Sequence, residues 1–161
     1  IQEVEGMIIA DADFLSAFLK INKVDLVFRA LETNEIVITE AVLHEIERVL
    51  VYTELLKLIN GKDRKIIIKT VECVQSEALG KGEFESISLA QKTTALLLMD
   101  DRFAEKYAAD KGIIVMTIPT FLLYCKKNNF ISSDEMKKII VALNEKDHYN
   151  FSEEVKNVLL Q

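Results

Sequence analysis

Short apolar runs alternate along the chain with stretches in which apolar residues recur every three or four positions. Continuous apolar runs of about five residues are typical of strands buried on both faces, and the three-to-four spacing is typical of helices with one buried face. This pattern predicts strands at residues 7–10, 36–38, 65–71, 95–99 and 113–116. It predicts helices around 14–19 and 26–31, at 40 to about 59, 83 to about 92, 101–111 and 119–123, and after Ser132/Ser133 and Ser152.

The alternation of strands with helices predicts the α/β class, as a three-layer α/β/α sandwich around a mainly parallel sheet. The third predicted strand is rich in β-branched residues and is flanked by Lys65 and Lys69, which favours an edge position. Thr39 is a candidate N-cap and Gly112 a candidate C-cap. Additional helices are predicted at the C-terminus of the chain.

Composition fits one compact domain. The chain has 161 residues, 50% of them apolar, with one proline and five glycines, which argues against long linkers. We therefore predict a single domain over residues 7–161, with a core at 7–116 and C-terminal helices at 119–161. Residues 1–6 precede the first strand and are interpreted as a native extension or a cloning remnant.

Charge and cysteine content narrow the functional classes. A net charge of −6 has the wrong sign for a simple electrostatic nucleic-acid binder, although a bound metal would neutralise clustered acids. Cys73 and Cys125 lie far apart without a CxxC motif, so we interpret both as buried reduced thiols. With no apolar run of membrane-spanning length and nothing resembling a signal peptide, a cytoplasmic protein is predicted.

Two groups of aspartates come directly after predicted strands. Asp11 and Asp13 follow the first strand, and Asp100 and Asp101 follow the strand at 95–99. The carboxyl ends of parallel strands share one edge of a sheet, where ligands bind. The simpler interpretation is helix capping, but one cap explains only one aspartate of each pair. Asp11 and one member of the second pair are therefore predicted to be functional, and Asp13 either caps or orients its neighbour.

Two glutamates lie on predicted helices. Val42, Glu45 and Val49 share one face of a helix, which points Glu45 inward, although pairing with Arg48 is an alternative. Glu83 follows Gly-Lys-Gly and opens a helix, where the helix dipole alone would favour a carboxylate. Like charges are costly to bring together. Four acidic stretches therefore predict a cage for a hard divalent cation and metal-assisted phosphate chemistry.

The order of these stretches resembles that of PIN-domain nucleases, especially the VapC-like ribonucleases of toxin–antitoxin pairs. The resemblance covers about residues 7–116. It rests on the sequences IIADADFL at 8–15, TEAVLHE at 39–45, GEFESISLA at 82–90 and LLMDDR at 97–102.

This resemblance implies a Mg²⁺- or Mn²⁺-dependent endoribonuclease that acts on single-stranded RNA. It implies that Asp11, Glu83 and Asp101 bind the metal and that Glu45 binds it directly or through water, with Asp13 and Asp100 in support. It also implies a homodimer and, for a toxin, a small antitoxin protein whose tail enters the site. Apolar residues between Phe14 and Leu31 are the predicted dimer face.

Two other functions compete with this interpretation. The chain departs from the family pattern at Asp13, Glu83 and Met99, where serine or asparagine, aspartate and threonine are commoner, and a catalytically weakened RNA- or protein-binding module would explain these departures. A haloacid-dehalogenase-like phosphatase also opens with Asp-x-Asp after a strand. That family normally has threonine where this chain has Leu15, and it leaves Glu45 unexplained.

Overall fold

The computed structural model describes residues 6–49, 51–72 and 79–161. Within these residues, five parallel strands form one sheet in the order β3-β2-β1-β4-β5. The strands are Met7–Ala10 (β1), Glu35–Thr39 (β2), Lys65–Lys69 (β3), Ala95–Leu98 (β4) and Ile114–Met116 (β5). β3 lies at the edge of the sheet, as its flanking lysines predicted.

Helices cover both faces of the sheet, which confirms the predicted three-layer α/β architecture. They are Ala12–Lys20 (α1), Val24–Ala30 (α2), Glu40–Glu47 (α3), Tyr52–Ile59 (α4), Lys81–Lys92 (α5), Arg102–Asp110 (α6), Ile118–Lys127 (α7), Ser133–Asp147 (α8) and Glu153–Leu160 (α9). On one face α5 and α6 pack in a small core, and on the other α1, α2, α7 and α8 pack in a larger one.

Side-chain alternation along the central strands supplies both cores. Ile9 and Leu97, which are aligned in neighbouring strands, face the α5–α6 layer. Ala10 and Leu98 are the next aligned pair and face the opposite layer. Because successive strand residues point to opposite faces, a continuous apolar run is the pattern required of a strand covered on both sides.

Three aromatic rings pack against one another in the larger core. Phe14 and Phe18 of α1 contact Phe121 of α7, with ring centroids 5.7 and 5.2 Å apart, and all three side chains are buried. α1 also packs against α8. The C-terminal helices therefore cover the apolar face of α1.

The predicted dimer face is wrong for this reason. Of the apolar side chains that were expected to be exposed there, all but the half-buried Leu31 are buried in the core: Phe14, Leu15, Phe18, Leu19, Leu26, Val27 and Ala30. Helical periodicity identifies the apolar face of a helix but not whether that face meets the same chain or another.

Local capping signals behave as the sequence predicted. The Thr39 hydroxyl accepts a hydrogen bond from the Val42 N–H at 3.3 Å, and Ser132 caps α8 together with Glu135. Gly112 has a φ of +77°, and its N–H and that of Ile113 donate to Ala109 and Ala108. This closes α6 in the way that glycine, without a Cβ, permits.

The single helix predicted from residue 40 to about 59 is two helices. The Arg48 and Val49 N–H groups donate three residues back, to Glu45 and Ile46, so the last turn of α3 tightens and ends. The β-branched Val49 and Val51 add little helix propensity at the break. α4 then packs against β3, while α3 packs against α5.

Cys125 is free and buried, and burial raises the pKa of its thiol to about 12. Cys73 lies outside the described residues, as do residues 1–5 of the predicted N-terminal extension. No helix in the described ranges is both long and apolar enough to cross a bilayer.

Truncation of Phe121 tests this packing. We expect Phe121→Ala to lower the free energy of unfolding by about 3–5 kcal/mol, because the fully buried ring leaves a cavity between α1 and α7. The matched control is Phe103→Ala, whose ring is 57% exposed and whose loss should change stability by roughly 0.5 kcal/mol or less. Equal losses in urea unfolding would contradict this account of the core.

Candidate metal centre

Asp11 is buried where β1 ends and α1 begins. Its backbone N–H donates to the Leu98 carbonyl of β4 at 2.8 Å, which fixes the residue between the ends of two central strands. Its side chain is only 2% exposed. Asp11 occupies the N-cap position of α1, but its side chain does not make the usual capping hydrogen bond. Capping therefore does not account for this aspartate.

Two further carboxylates meet Asp11. Oxygen atoms of Asp11, Asp13 and Glu83 all lie within 4.8 Å of one another; we call these three residues the acidic triad. The Gly80 N–H donates to Glu83 Oε2 at 3.0 Å, which holds that side chain at the start of α5. The triad thus joins a strand end to the first turns of α1 and α5, one on each face of the sheet.

Glu45 lies beside the triad. Glu45 is only partly shielded from solvent, and its carboxylate lies close to the Gly82 N–H, Asp13 and Glu83. Burial raises the pKa of Glu45, and the charges of Asp13 and Glu83 raise it further, while the Gly82 N–H and Arg48 lower it. Gly82 has no side chain, and a Cβ there would overlap Glu45 Oε1.

Asp100 and Asp101 both accept hydrogen bonds from backbone N–H groups at the starts of helices. Asp101 Oδ1 accepts from the Ala104 N–H at 2.8 Å and caps α6, and Asp100 Oδ1 accepts from the Ile118 N–H at 2.8 Å at the start of α7. Asp101 is near enough to Asp13 to raise its pKa, after the larger effect of burial. In the structure Asp13, which was expected in support, lies in the triad, and Asp101, which was expected to bind the metal, lies outside it.

The triad is electrostatically unfavourable without a cation. Burial raises the pKa of Asp11 from its ordinary 3.8 to about 8, and Glu45, Asp13 and Glu83 add repulsion that the Ala12 N–H only partly offsets. Burial also raises the pKa of Asp100, against the hydrogen bonds that it accepts from Ile118 and Tyr149. Clustered carboxylate oxygens with no nitrogen or sulfur donor fit a hard cation such as Mg²⁺ or Mn²⁺.

Two buried residues at the site, Glu85 and Ser86, were not identified from the sequence. The Glu85 side chain is 6% exposed and accepts from the Ala41 N–H at 3.3 Å, tying α5 to the start of α3. Ser86 is fully buried and donates to Asp11 Oδ1 at 3.5 Å. Ser86 is three residues after Glu83, so helical spacing could have indicated it. Glu85 carried no such signal.

A cleft of about 380 Å³ opens beside the triad. Its polar lining includes residues from α1, α3, the end of β4 and the end of α8, namely Asp13, Lys20, Glu45, Asp100, Asp147 and Tyr149. The C-terminal helices therefore contribute side chains to the candidate site as well as to the core. Their contribution was not predicted, because no local pattern marks a contact across more than a hundred residues.

Comparison with known proteins decides the family. A family model described as DUF3368, PIN domain, matches residues 7–161. The chain belongs to the PIN-domain family. The match extends through α7, α8 and α9, and it contradicts the haloacid-dehalogenase-like alternative. PIN domains are in general metal-dependent nucleases, and the acidic triad agrees with that family property.

A solved structure shows a related fold. This PIN domain is similar to a PilT N-terminus domain protein from the hyperthermophilic archaeon Sulfolobus solfataricus P2, with a TM-score of 0.52 and 16% sequence identity. The match covers 71% of this chain and 90% of that chain. At this identity the likeness shows the fold alone. A comparison with curated proteins gives no match.

Removing the Asp11 charge should stabilise the metal-free protein at alkaline pH. Because the pKa of Asp11 is higher in the folded state than its ordinary value, the folded state binds more protons, and stability falls as pH rises from about 4 to about 8. Each unit of pKa shift is equivalent to about 1.4 kcal/mol, so Asp11→Asn in EDTA at pH 9 should gain roughly 1 kcal/mol or more.

At pH 4 the gain should vanish, and saturating Mn²⁺ at pH 9 should stabilise the wild type more than Asp11→Asn. Urea unfolding at both pH values measures these differences, with the exposed Asp63→Asn as the charge-matched control. A loss of stability in Asp11→Asn at pH 9 without metal would contradict the conclusion that burial and neighbouring acids make the ionised Asp11 unfavourable.

Adding a methyl group at Gly82 tests the place of Glu45 without changing any charge. Gly82→Ala should displace the Glu45 carboxylate and weaken Mn²⁺ binding by roughly 10-fold. Stability should hold or rise, because alanine favours a helix over glycine and the displaced atom ends a flexible side chain. Calorimetric titration with Mn²⁺ gives the affinity, with Gln91→Ala, an uncharged and exposed position of the same helix, as control. Unchanged Mn²⁺ affinity would place Glu45 outside the metal centre.

Proposed function

We propose that the protein is a Mg²⁺- or Mn²⁺-dependent endoribonuclease that hydrolyses phosphodiester bonds in single-stranded RNA. Membership in the PIN family supports the reaction class. The observation that carries the proposal is the acidic triad, in which a buried aspartate meets two more carboxylates within 4.8 Å. So much unbalanced negative charge needs a cation, and the open cleft beside it gives a substrate access.

In this proposal the chain's own residues have distinct roles. Asp11, Asp13 and Glu83 hold the metal, while Glu45 and Asp101, which lie beside them, bind it directly or through water. Asp100 supports the site by fixing the start of α7. A bound divalent cation supplies Lewis-acid stabilisation of charge on the scissile phosphate and a water nucleophile at neutral pH. Glu45 is exposed at the edge of the triad and can accept a proton from attacking water.

The finer assignment extends the motif resemblance. We propose a VapC-like ribonuclease that acts in the cytoplasm, is inhibited by a small antitoxin protein, and is a homodimer. Since the apolar faces of α1 and α2 are buried in the core, a dimer would use another surface. The exposed position of Glu45 and the open cleft that it lines suit a site that a protein tail can reach from solvent.

Metal-dependent RNA cleavage tests the proposal. Hydrolysis of a fluorogenic single-stranded RNA should require Mg²⁺ or Mn²⁺ and stop in EDTA. Asp11→Asn should lower kcat by on the order of 10²–10³-fold or more, because it removes a central metal ligand. Asp63→Asn makes the same chemical change at an exposed loop position and should leave cleavage unchanged.

Other outcomes point to other functions. RNA binding without turnover in any divalent metal would support the catalytically weakened binding module, which the departures at Asp13, Glu83 and Met99 suggested. Metal-independent cleavage, or full activity in Asp11→Asn, would reject the triad as the catalytic centre.

A further inference from the structure

Lys20 lies among the acidic residues that line the cleft. Asp13, Ser16 and Lys20 follow one face of α1, at spacings of three and four residues, and all three line the cleft. The Lys20 ammonium lies 2.7 Å from Asp147 Oδ1 at the end of α8, and the two side chains are only 29% and 14% exposed. The ammonium is thus kept in the cleft and not extended into solvent.

The acids that line the cleft outnumber its cations, so the positive charge of Lys20 matters for binding RNA. Among the described lining residues, the acids are Asp13, Glu45, Asp100 and Asp147, and Lys20 is the one cation. RNA carries a negative charge on every nucleotide, so these acids repel the strand wherever no cation faces a phosphate. The Lys20 ammonium has three N–H donors, one of which is directed to Asp147, so others remain for a phosphate.

Position along α1 separates Lys20 from the acidic triad. Lys20 is seven residues after Asp13 in the sequence, which is roughly 10 Å along the helix axis at about 1.5 Å per residue. A phosphate held by Lys20 is therefore a neighbour of the phosphate at the triad.

We propose that Lys20 is a substrate-positioning residue that contacts an RNA phosphate next to the scissile one, with Asp147 holding its ammonium in the cleft. This inference rests on the proposed ribonuclease function. The alternative is that the ion pair only ties α1 to α8. A structural tie fails equally when either end is removed, whereas a phosphate contact needs the lysine and is opposed by the aspartate.

The two ends of the ion pair are therefore the test. Anisotropy of a labelled single-stranded RNA is measured in Ca²⁺, which takes the same oxygen ligands, and a gel confirms that the RNA stays intact. Lys20→Gln should weaken binding several-fold and reduce the slope of log affinity against log salt by roughly 0.7–1. Asp147→Asn keeps an oxygen that can accept from the Lys20 ammonium and removes a negative charge that repels RNA, so it should bind as tightly as the wild type or more tightly. Lys20→Arg keeps the charge and should restore binding.

Lys23→Gln makes the same substitution at an exposed lysine outside the cleft and should match the wild type. Equal affinity and salt slope in Lys20→Gln and the wild type, or equal losses in Lys20→Gln and Asp147→Asn, would overturn the inference. Cleavage by the wild type in Mn²⁺ is scored separately. If the wild type cleaves RNA but Lys20→Gln binds RNA as tightly as the wild type, this inference alone is rejected. If the wild type does not cleave RNA, the proposed function is rejected.

Discussion

The carboxyl group of Asp11 is shielded from water at the junction of β1 and β4 and has three other acids around it. Water would normally stabilise such a charge, and here the protein supplies little in its place beyond the Ala12 N–H and the Ser86 hydroxyl. In this environment the carboxyl group is protonated or balanced by a cation. The elements around the candidate site are arranged about this constraint.

The acidic side chains are held in place by hydrogen bonds that their carboxylates accept from backbone N–H groups. Glu83 accepts from Gly80, Asp101 from Ala104 and Asp100 from Ile118, each at the first turn of a helix. Helix N-termini favour negative charge, so each bond offsets part of the repulsion while it fixes a side chain. Glu85, buried against the start of α3, connects the helix bearing Glu83 to the helix bearing Glu45. The acidic residues of the candidate site and the helix termini are thus one structure.

Much of this arrangement could be predicted from the sequence because it depends on local patterns. Buried strands read as apolar runs, and acids that follow them fall at one edge of a parallel sheet, which brought Asp11 and Asp101 into the same region. Glu45 could be singled out by helical spacing and Glu83 by the Gly-Lys-Gly that precedes it, whereas no such signal marked Glu85. Which acids touch was harder to predict, because Asp13 lies in the first turn of α1 and Asp101 is the N-cap of α6, and no local pattern shows which of them meets Asp11. The burial of α1 by α8, and with it the place of Lys20 beside Asp147, depends on contacts 127 residues apart that leave no local pattern.

If the triad shares one divalent cation, a crystal soaked in Mn²⁺ should show an anomalous peak bounded by Asp11, Asp13 and Glu83. Carboxylate oxygens should lie at about 2.1 Å from that peak, the distance usual for a small hard cation. A site that stays empty at millimolar Mn²⁺, or a peak bound elsewhere while these three carboxylates remain apart, would contradict a shared cation.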